Sequence, residues 1–347
     1  GVQCEDCHGP AREHVMNVTE VSLRPVVPIT ADVCGKCHTT DTYPQFPKWQ
    51  QSAHAVVTSV PAGDFTNGQL LSVCGPCHSG DYRFEALILG NAVPADLLKG
   101  VPRDKQNAVT CVICHDPHKR TGNAVNPDDA RDFQLRYPEV KTLTPTDTIS
   151  VLTNPGRYPL CGQCHHTRGK TWTATDRGPH HSIQYNLYTG EMPMPAGQEN
   201  TPLAENTKSV HRFVPAQCAT CHMFREASPS QFAPPIAGHN LVVNVDACDS
   251  ATGCHPTSNS AVADKTALQK EVQTRLDGIA KRLGPVSTWG YSEEGGPADQ
   301  SKISDTIKQV RFLYSYIVAD GSLGVHNPSY VRTMLTQAED MLTGIGK

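Results

Sequence analysis

The chain is short of aromatic side chains. Phe, Trp and Tyr make up 6% of its 347 residues, and the hydrophobic fraction is 38%. That is little apolar side chain for an interior of this size, so something else is expected to fill part of the core. No run approaches the ~18 apolar residues that cross a bilayer, so no transmembrane segment is expected. Neither charge sign dominates: 30 Lys and Arg against 34 Asp and Glu leave −4. The basic footprint of a nucleic-acid binder is therefore missing. The chain opens Gly1-Val2-Gln3 and reaches a cysteine at Cys4, with no leader pattern of basic and then apolar residues, and is read as a mature or trimmed form. Sustained polar–apolar alternation, the mark of a β domain, is also lacking.

Cysteine and histidine, by contrast, are plentiful, at 14 and 16 residues, and the cysteines fall into pairs with none left over. Six pairs read C-x-x-C-H: Cys4/Cys7/His8, Cys34/Cys37/His38, Cys74/Cys77/His78, Cys111/Cys114/His115, Cys161/Cys164/His165 and Cys218/Cys221/His222. A seventh is stretched, Cys248-Asp-Ser-Ala-Thr-Gly-Cys254-His255. C-x-x-C-H is the attachment motif of c-type haem (heme c): two thiols add to the vinyl groups and the next histidine binds iron. Zinc and disulfides are the rivals, yet neither needs a histidine after every second cysteine. Seven such placements by chance have a probability below about one in a billion. In the stretched motif five residues must loop out, which suits Asp249, Ser250 and Gly253; the rival there is a disulfide or two thiols beside a chance histidine. Seven haems would add roughly fourteen propionate charges, about two each, favouring basic or haem-bearing partners.

An iron closed on both faces passes electrons, whereas one with an open face can do chemistry. The histidines outside the motifs therefore carry the functional information. They are His14, His54, His118, His166, His180, His181, His211, His239 and His326. Nine for seven irons leaves two spare, so every haem can be bis-His. His14 follows the first motif closely, and His54 sits in a short stretch expected to be helical after Lys48-Trp49. In Cys114-His115-Asp-Pro-His118 the proline breaks the helix, so His118 can face a different haem from His115. His211 precedes the sixth motif, His239 follows Gly238, and His326 heads the last helix. Of the adjacent His180 and His181 one is expected to ligate, His181 with His180 as its rival. His166 directly follows a proximal histidine and is expected to orient a neighbour instead. Met192, Met194 and Met223 are the other ligand option and would raise a haem's potential.

The motifs divide the chain into a haem-binding region, 1–258, and a helical segment, 259–347. With one haem per about 36 residues, no haem can have an independent core, and the haems are expected to contact one another. Pro25-Val-Val-Pro28, Pro44-Gln-Phe-Pro47 and Met192-Pro193-Met-Pro195 point to irregular chain and short helices. Beyond 260, Leu268, Val272, Leu276, Ile279 and Leu283 recur at helical spacing and stop at Gly284-Pro285. After a loop through Trp289 to Pro297, a second helix carries Ile303, Ile307, Val310, Leu313, Tyr314 and Ile317. A third opens at Asn327-Pro328 with Tyr330, Val331, Leu335, Ala338 and Leu342 inside. The fold class expected is mainly α and irregular, loop-rich around a haem chain, with a C-terminal three-helix segment.

Gly1-Val-Gln-Cys4-Glu-Asp-Cys7-His8-Gly-Pro with His14, Gly178-Pro-His-His181-Ser182, His211 before Cys218, Gly238-His239 and Gly324-Val-His326-Asn-Pro-x-Tyr330 resemble the multihaem cytochrome c superfamily. That superfamily includes pentahaem nitrite reductases, octahaem hydroxylamine oxidoreductase-like proteins and respiratory electron carriers. Extracellular multihaem cytochromes that form filaments are similar in haem density and all-His ligation. The resemblance implies an extracytoplasmic place (periplasm, cell surface or extracellular) and, from octahaem relatives, a further haem segment before Gly1. The nitrite reductases' Cys-x-x-Cys-Lys is absent here. A cross-linking tyrosine, as in hydroxylamine oxidoreductases, has Tyr314 or Tyr316 as its nearest counterpart.

Two functions are then expected in order. The first is electron transfer through seven bis-His haems, with other multihaem cytochromes or copies of the chain itself as partners, up to a homo-oligomer or filament. The second is an oxidoreductase acting on a small nitrogen or sulfur species at a five-coordinate haem, with Arg168, Lys170 and Arg177 as its cationic groups. Their rival role is a solvated loop.

Overall fold

Short helical turns joined by irregular chain make up most of the first half of the protein, and long helices most of its C-terminal end. The computed structural model describes residues 1–347 except 42, 58–64, 126–129, 142–155, 157, 169, 191–208, 228–234 and 251–254. Among the described residues one two-stranded sheet is present, so the fold is mainly α and irregular. The chain divides into two compact units, Gly1–Pro138 with His222–Asn244, and Glu139–Cys221 with Val245–Lys347.

In the first unit the helices Cys4–His8, Asp32–Gly35 and Cys111–Cys114 are only 5, 4 and 4 residues long. Helices this short cannot offset the cost of nucleation, so packing and local hydrogen bonds must hold them. The longest helix of this unit, α1 (Gly68–His78), is capped by Asn67, whose side chain accepts the amides of Gln69 and Leu70 at 2.9 and 3.4 Å. It brings Leu71 into a small core with Phe65, Tyr82 and Leu98. The segment ahead of the fourth motif docks just beyond α1. A Cβ on Gly80 would lie 2.0 Å from the Ala108 carbonyl oxygen, and the Gly80 amide donates to Asn107 at 2.8 Å. The Asp81 carboxylate accepts both the amide and the side chain of Asn107 at 2.7 Å. Trp49 Nε1 donates to the Val109 carbonyl at 3.0 Å, adding a further tie to the same segment. Strands β1 (Arg225–Glu226) and β2 (Ile236–Ala237) pair antiparallel, Arg225 opposite Ala237.

The second unit contains α2 (Gln184–Thr189), α3 (Ser258–Leu283), α4 (Asp305–Asp320) and α5 (Pro328–Gly344). The three helices expected after 260 are present. Helix α3 starts well ahead of Leu268 because Thr257 and Ser260 form a reciprocal cap, a signal that apolar periodicity does not carry. Ser304 caps α4, which ends at the left-handed Gly321 (φ 75°). Asn327 caps α5 with Pro328 at its first position, and its buried Nδ2 donates to Leu187 of α2 at 3.1 Å. The core joins Val272, Leu276, Val310, Leu313, Val331 and Leu335 with Ile183 and Leu187. Each such side chain stabilises by roughly 1.5–3 kcal/mol when fully buried. Two ion pairs tie α3 to α5, Arg275–Glu339 and Arg332–Glu271, each 2.7 Å at its shortest. Arg311, fully buried, donates to the Trp289, Gly290 and Ala174 carbonyls at 2.9 Å and to Gln300 Oε1 at 2.8 Å. Its guanidinium covers the Tyr291 ring at 4.1 Å. Tyr314 is half-buried edge-on to Trp289, and Tyr316 is buried against Phe312.

Candidate functional site

On a helical turn, residues i, i+3 and i+4 share a face, and the C-x-x-C-H spacing has this form. The turn is built in the motifs starting at 34, 111 and 161, where the histidine amide donates to the first cysteine's carbonyl at 3.0, 2.9 and 3.0 Å. Cys4–His8 and Cys218–His222 are α-helical throughout, and Cys74, Cys77 and His78 form the end of α1. Cys248 lies on the short helix Ala247–Ser250. Cys254, like Met192 and Met194, falls outside the described residues. Cysteines of different motifs also meet. The thiols of Cys34 and Cys111 lie near enough to influence each other, as do those of Cys161 and Cys218.

The imidazoles follow a common plan at Nδ1. Backbone carbonyls of Val26 and Phe133 lie 2.7 Å from those of His8 and His115. Val325 and Leu241 lie 3.0 Å from His211 and His222, and Ala237 lies 3.2 Å from His239. Glutamine oxygens of Gln45 and Gln184 serve His38 and His165 at 3.3 and 3.1 Å. Carboxylates serve two: Asp264 lies 3.3 Å from His255, and Asp320 lies 2.7 Å from His326. An Nδ1 that donates to these oxygens leaves Nε2 with its lone pair outward.

The rings also pair. His8 and His118 lie nearly parallel (12°) with centroids 5.9 Å apart, and His115 and His239 lie at 27° and 6.4 Å. His118 thus faces the histidine of the first motif, while its near neighbour His115 faces His239, two residues after β2. His180 and His181 stack directly on each other at 4.0 Å, with Ser182 Oγ 3.0 Å from His180 Nδ1. His54 lies on the short turn Ala53–Ala55. The Nδ1 of His14 is buried with no hydrogen-bond partner among the described residues. His166 tilts against Tyr158 at 5.3 Å.

Burial lowers the protonation of several of these rings. It pulls His239 down to about 4 against a weaker opposing effect of its bond to Ala237, and lowers His115 and His211. His181 is also lowered, by burial and then by the charges of His165 and Arg168. His326 moves the other way: burial lowers it, but the charge and hydrogen bond of Asp320 outweigh that and the net shift is upward. Of the cations expected to serve a substrate, Lys170 is held by both oxygens of Asp176 at 2.7 Å. The Nδ1 partners, Asp320 above all, are the site residues that reading the sequence misses. Nothing in their local sequence distinguishes them from other polar residues.

Residues 205–344 match the family model of cytochrome c552. The structure is similar to that of the outer cell wall cytochrome OcwA, at 20% identity and a TM-score of 0.58, covering 99% of this chain and 70% of that one. An undecahaem cytochrome from the S-layer of Carboxydothermus ferrireducens is similar at 21% identity and a TM-score of 0.58, covering 99% of this chain. The chain spans 50% of the length of that protein. The cytochrome c nitrite reductase of Desulfovibrio desulfuricans is similar at 13% identity and a TM-score of 0.50, covering 84% of this chain and 68% of that one. No curated protein matches the sequence. The fold is that of the multihaem cytochromes, as the resemblance in the motifs implied. Among the described residues no helix is long and apolar enough to cross a membrane.

Proposed function

We propose that this chain is an electron-transfer protein holding seven covalent c-type haems, each between two imidazoles, and that it relays electrons between extracytoplasmic respiratory partners. The residues fit that group. Two imidazoles bound trans to one metal at about 2.0–2.1 Å have centroids roughly 6 Å apart, and the pairs His8/His118 and His115/His239 lie at 5.9 and 6.4 Å. This spacing, with Nδ1 of His8, His115 and His239 facing carbonyls and Nε2 left over, is the observation that carries the proposal. When bound, haem supplies one-electron chemistry.

The protein's part is attachment, closure and spacing. Cys4, Cys7, Cys34, Cys37, Cys74, Cys77, Cys111, Cys114, Cys161, Cys164, Cys218, Cys221, Cys248 and Cys254 would form the thioethers. His8, His38, His78, His115, His165, His222 and His255 would be proximal ligands. His14, His54, His118, His181, His211, His239 and His326 would close the opposite faces. The nearness of Cys34 to Cys111 and of Cys161 to Cys218 would put the second attachment site beside the fourth, and the fifth beside the sixth. Such neighbours support direct passage between haems. In the first unit that order is not the order of the chain.

The outer cell wall and S-layer sources of two similar structures support an extracytoplasmic place. Other multihaem cytochromes, or further copies of this chain in an oligomer or filament, are the proposed partners. The test is the oxidised holoprotein. A haemochrome assay is expected to give seven haems per chain, with low-spin ferric signals throughout and no change on adding nitrite, hydroxylamine or sulfite. A high-spin fraction near one-seventh that responds to any of the three would replace the carrier with an oxidoreductase.

A further inference from the structure

We propose that Asp320 lowers the reduction potential of the haem that His326 serves, by drawing the Nδ1 proton of His326 toward a buried carboxylate. This rests on the reading of His326 as an axial ligand. Asp320 is the last residue of α4, and its side chain has no exposure to solvent. The position is unfavourable for an anion twice over. A buried carboxylate loses hydration, and the C-terminal end of a helix carries partial negative charge. Nor is Asp320 needed to end the helix, because Gly321 in the left-handed conformation does so.

What holds the charge there is a set of donors aimed at it. Oδ1 lies 2.7 Å from His326 Nδ1, and Oδ2 accepts the Ser322 amide at 3.2 Å and the Ser322 hydroxyl. The Ser322 hydroxyl in turn accepts the His326 amide at 3.2 Å. The turn from Asp320 to His326 is thereby fixed around the carboxylate–imidazole contact.

Other imidazoles of this chain meet weaker acceptors. Backbone carbonyls serve His8, His115, His211, His222 and His239, while the carboxylate beside His255 belongs to the exposed Asp264, 68% accessible. A carboxylate on the outer nitrogen raises the basicity of a ligating imidazole, and burial leaves its charge poorly screened. Both effects favour ferric over ferrous iron. On reduction the centre takes up one electron and no proton, the Nδ1 proton staying between His326 and Asp320 in both states. Asp320 touches no iron; it is a positioning residue acting through His326.

The test is a spectroelectrochemical titration of the full holoprotein, with dithionite as the electron source. Asp320→Asn keeps the volume and removes the charge. One component, about one-seventh of the amplitude, is expected to move upward. A tenfold gain in its reduction equilibrium would be about 59 mV. Haem content and low-spin signals should stay unchanged. Ser322→Ala strips a donor from the carboxylate, strengthens its pull on His326, and is expected to move the same component downward. Should Asp320→Asn fail to assemble, the sign of the Ser322→Ala shift decides. If no component moves in either variant while all haems stay low-spin, Asp320 is structural only and the proposal falls, leaving the electron-transfer reading intact. If His326→Ala leaves every iron low-spin with unchanged potentials, His326 is not a ligand and the proposal also falls. A wild-type chain without covalent haem would instead overturn the reading beneath it.

Discussion

His239 combines the features that a distal ligand requires. Its ring faces His115 at 6.4 Å, its Nδ1 faces the Ala237 carbonyl, and burial holds it neutral with a pKa of about 4. A neutral ring offers a lone pair at any pH above that value. Because the folded pKa lies below the usual 6.5, the unfolded chain binds the proton first. Stability from this site is therefore complete above about pH 6.5 and is lost as pH falls toward about 4. Binding to iron, as proposed, would act in the same direction, since a ligating nitrogen cannot take the proton. Acid titration followed in the Soret band should show the His115/His239 centre intact at pH 7 and losing its low-spin form as pH falls through that window. His239→Ala should convert about one-seventh of the iron to high spin at neutral pH. Electron paramagnetic resonance would read this as a new axial signal, while a wholly low-spin variant would remove His239 from the ligand set.

At the scale of elements, the C-x-x-C-H motifs rest on short turns, and close backbone approach fixes one of them. That approach is at Gly80: a Cβ there would meet the Ala108 carbonyl oxygen at 2.0 Å. This contact locks the end of α1, with its Cys74–Cys77–His78, to the strand of chain entering Cys111. Gly80→Ala is expected to destabilise by about 1–3 kcal/mol through overpacking, with a lowered melting temperature and poorer haem incorporation. An unchanged melting curve would show that the segment can shift. The helical element differs in kind, because α3, α4 and α5 make a core of ordinary side chains. Leu313→Ala, at a fully buried position, should cost about 2–5 kcal/mol in chemical denaturation while leaving the number of attached haems unchanged.

For the molecule as a whole, the two units have unequal means of support. The main apolar cluster described in the first unit joins Phe65, Leu71, Tyr82 and Leu98 with a partly buried fringe, and Ile113 and Leu135 are buried outside it. A core so small cannot offset the conformational entropy of a unit this long, and apolar porphyrin plates would supply what is missing. The second unit has α3, α4 and α5 packed through more than a dozen buried side chains. The whole chain produced without haem attachment is therefore expected to keep the helical circular dichroism of 258–344. Limited proteolysis should then cut freely between 1 and 138. Equal resistance in both regions would show that the first unit folds without haem.

The sequence alone was enough to place the three C-terminal helices and to point to the attachment chemistry proposed above. Covalent attachment depends on local spacing, with two thiols and an imidazole on one turn, and so is written within a few consecutive residues. The helices were equally legible because Leu268–Leu283, Ile303–Ile317 and Tyr330–Leu342 repeat at the helical period, and because Gly284, Gly321 and Asn327-Pro328 mark their ends. The start of α3 at Ser258 lies one residue before the expected boundary at 259, where the polar cap of Thr257 and Ser260 sets it. Only the tertiary structure decided which imidazoles meet: His8 with His118, His115 with His239, His180 against His181. It also decided that Asp320, indistinguishable in sequence from any exposed aspartate, would be buried against His326. Pairings of this kind depend on how distant loops are brought together, and the energy that selects them comes from packing and from satisfying buried polar atoms, neither of which leaves a local pattern in the chain.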